Sequence, residues 1–168
     1  MKTLIVYSSK TGNTRKLAQA IHLALPDAQL SRVEMAPNPD RYDLILLGFW
    51  IENGTADEKM KHYMKRLSGK KIALFATLGA YPDSKHAAES LDAAAHLVPD
   101  CAVVGHFICQ GAIDPELIEW METLPKDHGF GPTASRKKLW DEAAGHPDEK
   151  DLESAADWAL GVYEKQNA

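Results

Sequence analysis

The chain has 168 residues, enough for one well-buried domain and too few to expect two. Its composition is that of an ordinary soluble globular protein, and no apolar stretch approaches the roughly 20 residues needed to cross a bilayer. A net charge of −5, without a basic stripe interleaved with aromatics, argues against nucleic-acid binding and suits a basic protein partner.

The N-terminus enters a strand almost at once, without signal-peptide architecture, so the expected location is cytoplasmic. After Leu4-Ile5-Val6-Tyr7 and the polar stretch from Ser8 to Thr14, a helix is expected from about Asn13 to Leu25. Thr14, Leu17, Ala18, Ile21, Ala24 and Leu25 share one of its faces, and Pro26 stops it. A weaker strand over Gln29 to Glu34 and a Pro37-Asn38-Pro39-Asp40 turn lead to Leu44–Phe49, a continuous apolar run suited to a strand covered on both faces. Thr55 and Glu58 have capping-box spacing, which predicts a helix starting there and burying Met60, Tyr63, Met64 and Leu67. Ile72 to Ala76 is the next strand, followed by a helix with Ala87, Ala88, Leu91, Ala94, Ala95 and Val98 on one face.

Ala102 to Cys109 supplies the fifth strand, and Asp114-Pro115 opens a helix with Leu117, Ile118, Met121 and Leu124 inward. An irregular excursion over about 125–147 carries a short helix, Ala134 to Ala144, before a last amphipathic helix from about Glu149. Trp120, Trp140 and Trp158 all fall on helices, where they are expected to lie away from any site on the strand ends. Cys101 and Cys109 form neither a metal pair nor a disulfide framework, and the seven histidines show no tight ligand spacing.

The most informative stretch is Ser8-Ser9-Lys10-Thr11-Gly12-Asn13-Thr14, placed between a strand and a helix. Gly12 can turn without steric cost, and the N–H groups of the loop and first helical turn can face one anion. Four hydroxyls add donors, and Lys10 offers a charge. Neither the Walker pattern nor the three-glycine dinucleotide fingerprint is present. In its strand-loop-helix context, Ser9-x-Thr11-Gly12-x-Thr14 resembles the flavin mononucleotide (FMN) phosphate loop of the flavodoxin family.

Repeated βα units predict an α/β fold: a parallel sheet with helices on both faces and ligands outside the strands' carboxyl ends. A strand order of 2-1-3-4-5 brings the loops after strands one, three and four to one edge. The resemblance implies that five-stranded, three-layer sandwich, with FMN as cofactor. It implies that the loops Gly48–Gly54 and Thr77–Pro82 enclose the flavin ring. Cofactor-binding candidates are therefore Ser8 through Thr14, then Phe49, Trp50, Ile51, Asn53 and Gly54, and finally Thr77, Leu78, Gly79, Ala80 and Tyr81. Trp50 and Tyr81 are the expected stacking aromatics, and Asn53-Gly54 is a turn able to reorient a peptide beside the ring.

The family resemblance implies an electron carrier serving redox partner proteins that supply or accept electrons. An FMN-dependent NAD(P)H or quinone oxidoreductase on the same fold is the alternative. Gly48-Phe49-Trp50, Gly79-Ala80-Tyr81-Pro82-Asp83 and His146-Pro147-Asp148-Glu149 further resemble a flavodoxin-like subgroup of anaerobic gut bacteria found beside bilirubin-reducing flavoenzymes. The excursion at 125–147 departs from a minimal flavodoxin and is expected to be either partner-docking surface or decoration.

Overall fold

A computed structural model describes all 168 residues. Strand β1 (Thr3–Tyr7) leads into helix α1 (Asn13–Ala24), β2 (Gln29–Arg32) and β3 (Leu44–Glu52). Then come β4 (Thr55–Ala56), α2 (Glu58–Met64), β5 (Lys71–Leu78), α3 (Lys85–Ala95) and β6 (Ala102–Gln110). Helices α4 (Pro115–Glu122), α5 (Ala134–Ala143) and α6 (Glu149–Asn167) complete the chain. The parallel sheet runs β2-β1-β3-β5-β6, with β4 pairing antiparallel to the end of β3. Apart from that two-residue addition, this is the expected 2-1-3-4-5 order.

The central strands are apolar throughout because alternate residues enter two different cores. Ile45, Leu47 and Phe49 join Met60, Tyr63, Met64, Leu91 and Ala94 beneath α2 and α3. Leu44 and Leu46 face the other way, into the layer holding Leu17, Ala18 and Ile21 of α1 and Ala155, Ala159 and Val162 of α6. Gly48 belongs to this alternation as well: a Cβ there would lie 2.2 Å from the Phe75 ring, so the missing side chain makes room for that aromatic.

Two boundaries differ from expectation at the end of β3. This strand continues to Glu52, and Thr55 is not a helix cap: it pairs with Glu52, while Ala56 pairs with Ile51. Asn53 and Gly54 have φ of 51° and 76°, so they form a tight two-residue hairpin of the kind Asn-Gly favours. The hairpin defers the helix to Asp57, whose carboxylate accepts the Met60 N–H. Cys109 is buried and Cys101 half-buried, and both are free thiols. No helix is long and apolar enough to cross a membrane.

Candidate functional site

At the carboxyl edge of the sheet lies a cavity of about 450 Å³. Its polar end is the loop between β1 and α1. Gly12 sits at the helix N-cap with φ of 103°, a conformation that costs glycine little, and it supplies no capping side chain. Ser9 Oγ turns inward and accepts the N–H groups of Gly12 (3.2 Å) and Arg15 (3.3 Å). The backbone N–H groups of Lys10, Thr11, Asn13 and Thr14 find no acceptor within the protein. Four unused donors at a helix N-terminus are the chemistry of an anion site.

The other side chains of this loop are mostly committed to holding it. Thr14 and Thr77, both buried, share a hydroxyl hydrogen bond of 3.0 Å that ties α1 to the end of β5. Asn13 Nδ2 donates to the Ala112 carbonyl at 2.8 Å, tying the loop to the segment after β6. Gly111 leaves room for this contact, since a Cβ there would lie 2.8 Å from Asn13 Nδ2. Ser8 donates away from the cavity, to buried Asp57 Oδ1 at 2.7 Å. Burial pushes the Asp57 carboxyl above the usual carboxylate range, outweighing the hydrogen bonds from Ser8 and the α2 amides. Lys10 Nζ contacts Asp114 Oδ2 at 2.9 Å. Their hydrogen bond raises the lysine and lowers the carboxyl, so both are charged at neutral pH.

Of the residues named from sequence, Ser9, Lys10, Thr11, Asn13 and Thr14 line the cavity together with Trp50 and Ile51 and with Thr77 to Ala80. The others do not form its wall. Ser8 faces Asp57, and Gly12 shapes the loop without lining the cavity. Phe49 is wholly buried in the core on the α2 and α3 side, because strand alternation turns it opposite to Gly48 and Trp50. Asn53 and Gly54 form the hairpin tip, held by the β3–β4 pairing. Tyr81 is 40% exposed, and its hydroxyl donates to Glu142 Oε2 at 2.5 Å. That bond raises the phenol pKa and makes Tyr81 a strut to α5.

Sequence reading missed the opposite wall. It is built by Ala112, Ile113 and Asp114 after β6, by Leu117 and Met121 of α4, and by Phe130, Arg136, Leu139 and Trp140 of the excursion. Trp140, expected to be remote, is only 6% exposed and lines the cavity. The excursion is anchored to two of the strand-end loops. Tyr81 holds Glu142, and the Ala112 N–H donates to the His146 carbonyl at 2.8 Å. His146 Nδ1 in turn meets Asp151 Oδ2 at 2.5 Å, within the Asp148–Asp151 capping box that starts α6. Arg136 spans the bend by donating to the Gly131 carbonyl at 2.9 Å. The available signal was Leu139-Trp140, two large apolar residues together on the largely polar helix Ala134-Ser135-Arg136-Lys137-Lys138-Leu139-Trp140-Asp141-Glu142.

A flavodoxin-domain family model matches residues 4–159, spanning the β1–α1 loop, the strands from Leu4 onward and most of α6. The chain belongs to the flavodoxin-domain family. A flavodoxin-like domain-containing protein, BilS, from Clostridioides difficile is 31% identical over 172 residues, with 98% of each chain covered. Among solved structures, oxidised Flavodoxin 2 from Bacillus cereus superposes with a TM-score of 0.61 at 20% identity, covering 98% of this chain and 99% of that one. A Lactobacillus acidophilus flavoprotein in complex with FMN gives 0.55 at 19% identity, covering 71% of this flavodoxin-domain chain and 97% of its own.

Proposed function

We propose that the cavity binds FMN and that the chain, working as one domain, carries electrons between partner proteins. The observation that carries this reading is one cavity with four unpaired backbone amides at its polar end and indoles of Trp50 and Trp140 on its walls. The donors suit a phosphate, the aromatic surfaces suit a conjugated ring, and the FMN-bound structural neighbour is consistent with both. When bound, the flavin supplies reversible electron transfer. The protein's part is to hold its phosphate, cover its ring and limit its contact with water.

The mouth of the cavity suits a carrier that docks with a protein. Leu117 and Phe130 line the cavity yet are 45% and 61% exposed, and Trp120, one turn along α4 from Leu117, is 49% exposed. Glu116 and Glu119 flank them, with no basic residue on α4. Such an apolar patch with an acidic border fits a partner whose contact surface is bordered by Lys and Arg. The reductase alternative is favoured by a different observation, the apolar wall that the excursion adds to the cavity, which could seat a small substrate beside the flavin.

The test has two stages. Purified protein should be yellow and release FMN on heating, and apoprotein should rebind FMN more tightly than riboflavin. Failure to bind flavin refutes the cofactor assignment. Stopped-flow mixing of the FMN-loaded protein with NADH and NADPH then separates the two functions: slow or absent reduction is expected of the carrier, and rapid direct reduction would establish a reductase.

A further inference from the structure

Beyond β6, several large apolar residues line the cavity without belonging to either core. Ile113, Leu117, Met121, Leu139 and Trp140 are absent from both hydrophobic clusters that sandwich the sheet. Met121 and Trp140 are nonetheless 7% and 6% exposed. Helix α5 buries little besides Trp140 and Ala143, and its remaining face is polar. A buried indole on such a helix ordinarily packs into a core, because removing its large apolar surface from water is what holds the helix down. Here the indole fronts a cavity shared with the phosphate loop, and the helix is held at its ends by Tyr81–Glu142, Thr133 capping the Arg136 N–H, and the Arg136–Gly131 contact.

We infer that the inner faces of α4 and α5 form one wall of the flavin-ring site, with Trp140 as the aromatic residue that contacts the isoalloxazine and Met121 packed beside it. This rests on the FMN reading and assigns residues to it. Tyr81, the aromatic of the loop after β5, is excluded from that role by its place: it is no part of the cavity wall and spends its hydroxyl on Glu142. Trp50, half-buried and on the wall, is the contribution of β3, so the ring would be bordered by two indoles from distant parts of the chain. The excursion then completes the cofactor site and anchors itself to the segments after β5 and β6, the second of which Asn13 ties to the β1–α1 loop.

The experiment compares wild type with Trp140→Ala, Trp140→Phe, Trp50→Phe and the Trp50→Phe/Trp140→Phe double variant, each checked by circular dichroism for native fold. FMN and riboflavin are titrated into apoprotein, and the emission of the bound flavin is read. Trp140→Ala is expected to raise the Kd of FMN and of riboflavin by the same factor, about tenfold, because a ring contact is common to both. Trp140→Phe should restore most of that affinity. Bound flavin should remain quenched in Trp50→Phe and brighten in the double variant, since quenching by indole needs contact and phenylalanine does not replace it. Folded variants with unchanged affinity, or a double variant no brighter than Trp50→Phe, would overturn the assignment while leaving FMN binding intact. Wild-type apoprotein that takes up no flavin would overturn the cofactor reading and this inference together. Failure of Trp140→Ala to fold leaves the double phenylalanine variant to decide.

Discussion

Asp57 should be a pH-sensitive structural residue beside the site, and replacing it separates its hydrogen bonds from its charge. It is 2% exposed, accepts Ser8 Oγ–H at 2.7 Å, caps α2 through the Met60 N–H, and leaves Oδ2 without a partner. Asp57→Ala removes an N-cap, at about 1 kcal/mol, and strands a buried hydroxyl, at about 1–3 kcal/mol. Together these are about 2–4 kcal/mol, or a melting temperature lower by about 5–15 °C for a chain of this size. Asp57→Asn keeps an acceptor oxygen for both donors and is an equally good cap, so it should escape most of that loss.

The charge adds a pH dependence of definite sign. Burial raises the folded carboxyl above its ordinary value of 3.8, so the native state holds this proton more tightly than the unfolded chain does. The associated stability is present in full below the unfolded pKa and is lost as pH rises through the folded one. Asp57→Asn should therefore match wild type near about pH 4 and become more stable than it toward about pH 8. Urea melts of the three proteins across that range test this. The reasoning fails if Asp57→Ala costs less than about 0.5 kcal/mol, or if the difference between Asp57→Asn and wild type is flat with pH.

At the loop itself, Thr11→Ala should weaken FMN by about tenfold and riboflavin hardly at all, because Thr11 lines the polar end of the cavity beside the unpaired loop amides; equal weakening would place it away from the phosphate. Asp114→Asn frees Lys10 and removes a negative charge from the polar end, so FMN affinity should rise about threefold with riboflavin unchanged, and the gain should shrink in high salt. Tyr81→Phe should change the FMN Kd by less than about twofold in the same titration, as expected of an exposed strut. Gly48→Ala drives a methyl into the Phe75 ring and should cost about 1–3 kcal/mol or more in chemical denaturation, with partial recovery in Gly48→Ala/Phe75→Leu.

The order of the elements and the anion-suited shape of the β1–α1 loop were legible in the chain itself, and for local reasons. The Leu44–Phe49 run, the one-sided helices and Pro26 each act on neighbours a few residues away, so strand, helix and stop follow from spacing. Ser9 to Thr14 is likewise contiguous, and a helix N-terminus presents its free amides whatever else surrounds it. Near Thr55 two local signals conflicted, a capping-box spacing and an Asn-Gly turn. The hairpin prevailed because its pairing with β3 gives Thr55 and Ala56 backbone partners, while Asp57 can still cap the delayed helix. What only the tertiary structure decided is which side chains share the cavity. Phe49 and Trp50 are adjacent in sequence and face opposite ways, while Trp140 lies 126 positions beyond Thr14 and fronts the same space. No periodicity encodes that meeting: it depends on how a polar helix is tethered through Tyr81, Glu142 and His146, and those tethers exist only once the sheet has brought its loops to one edge.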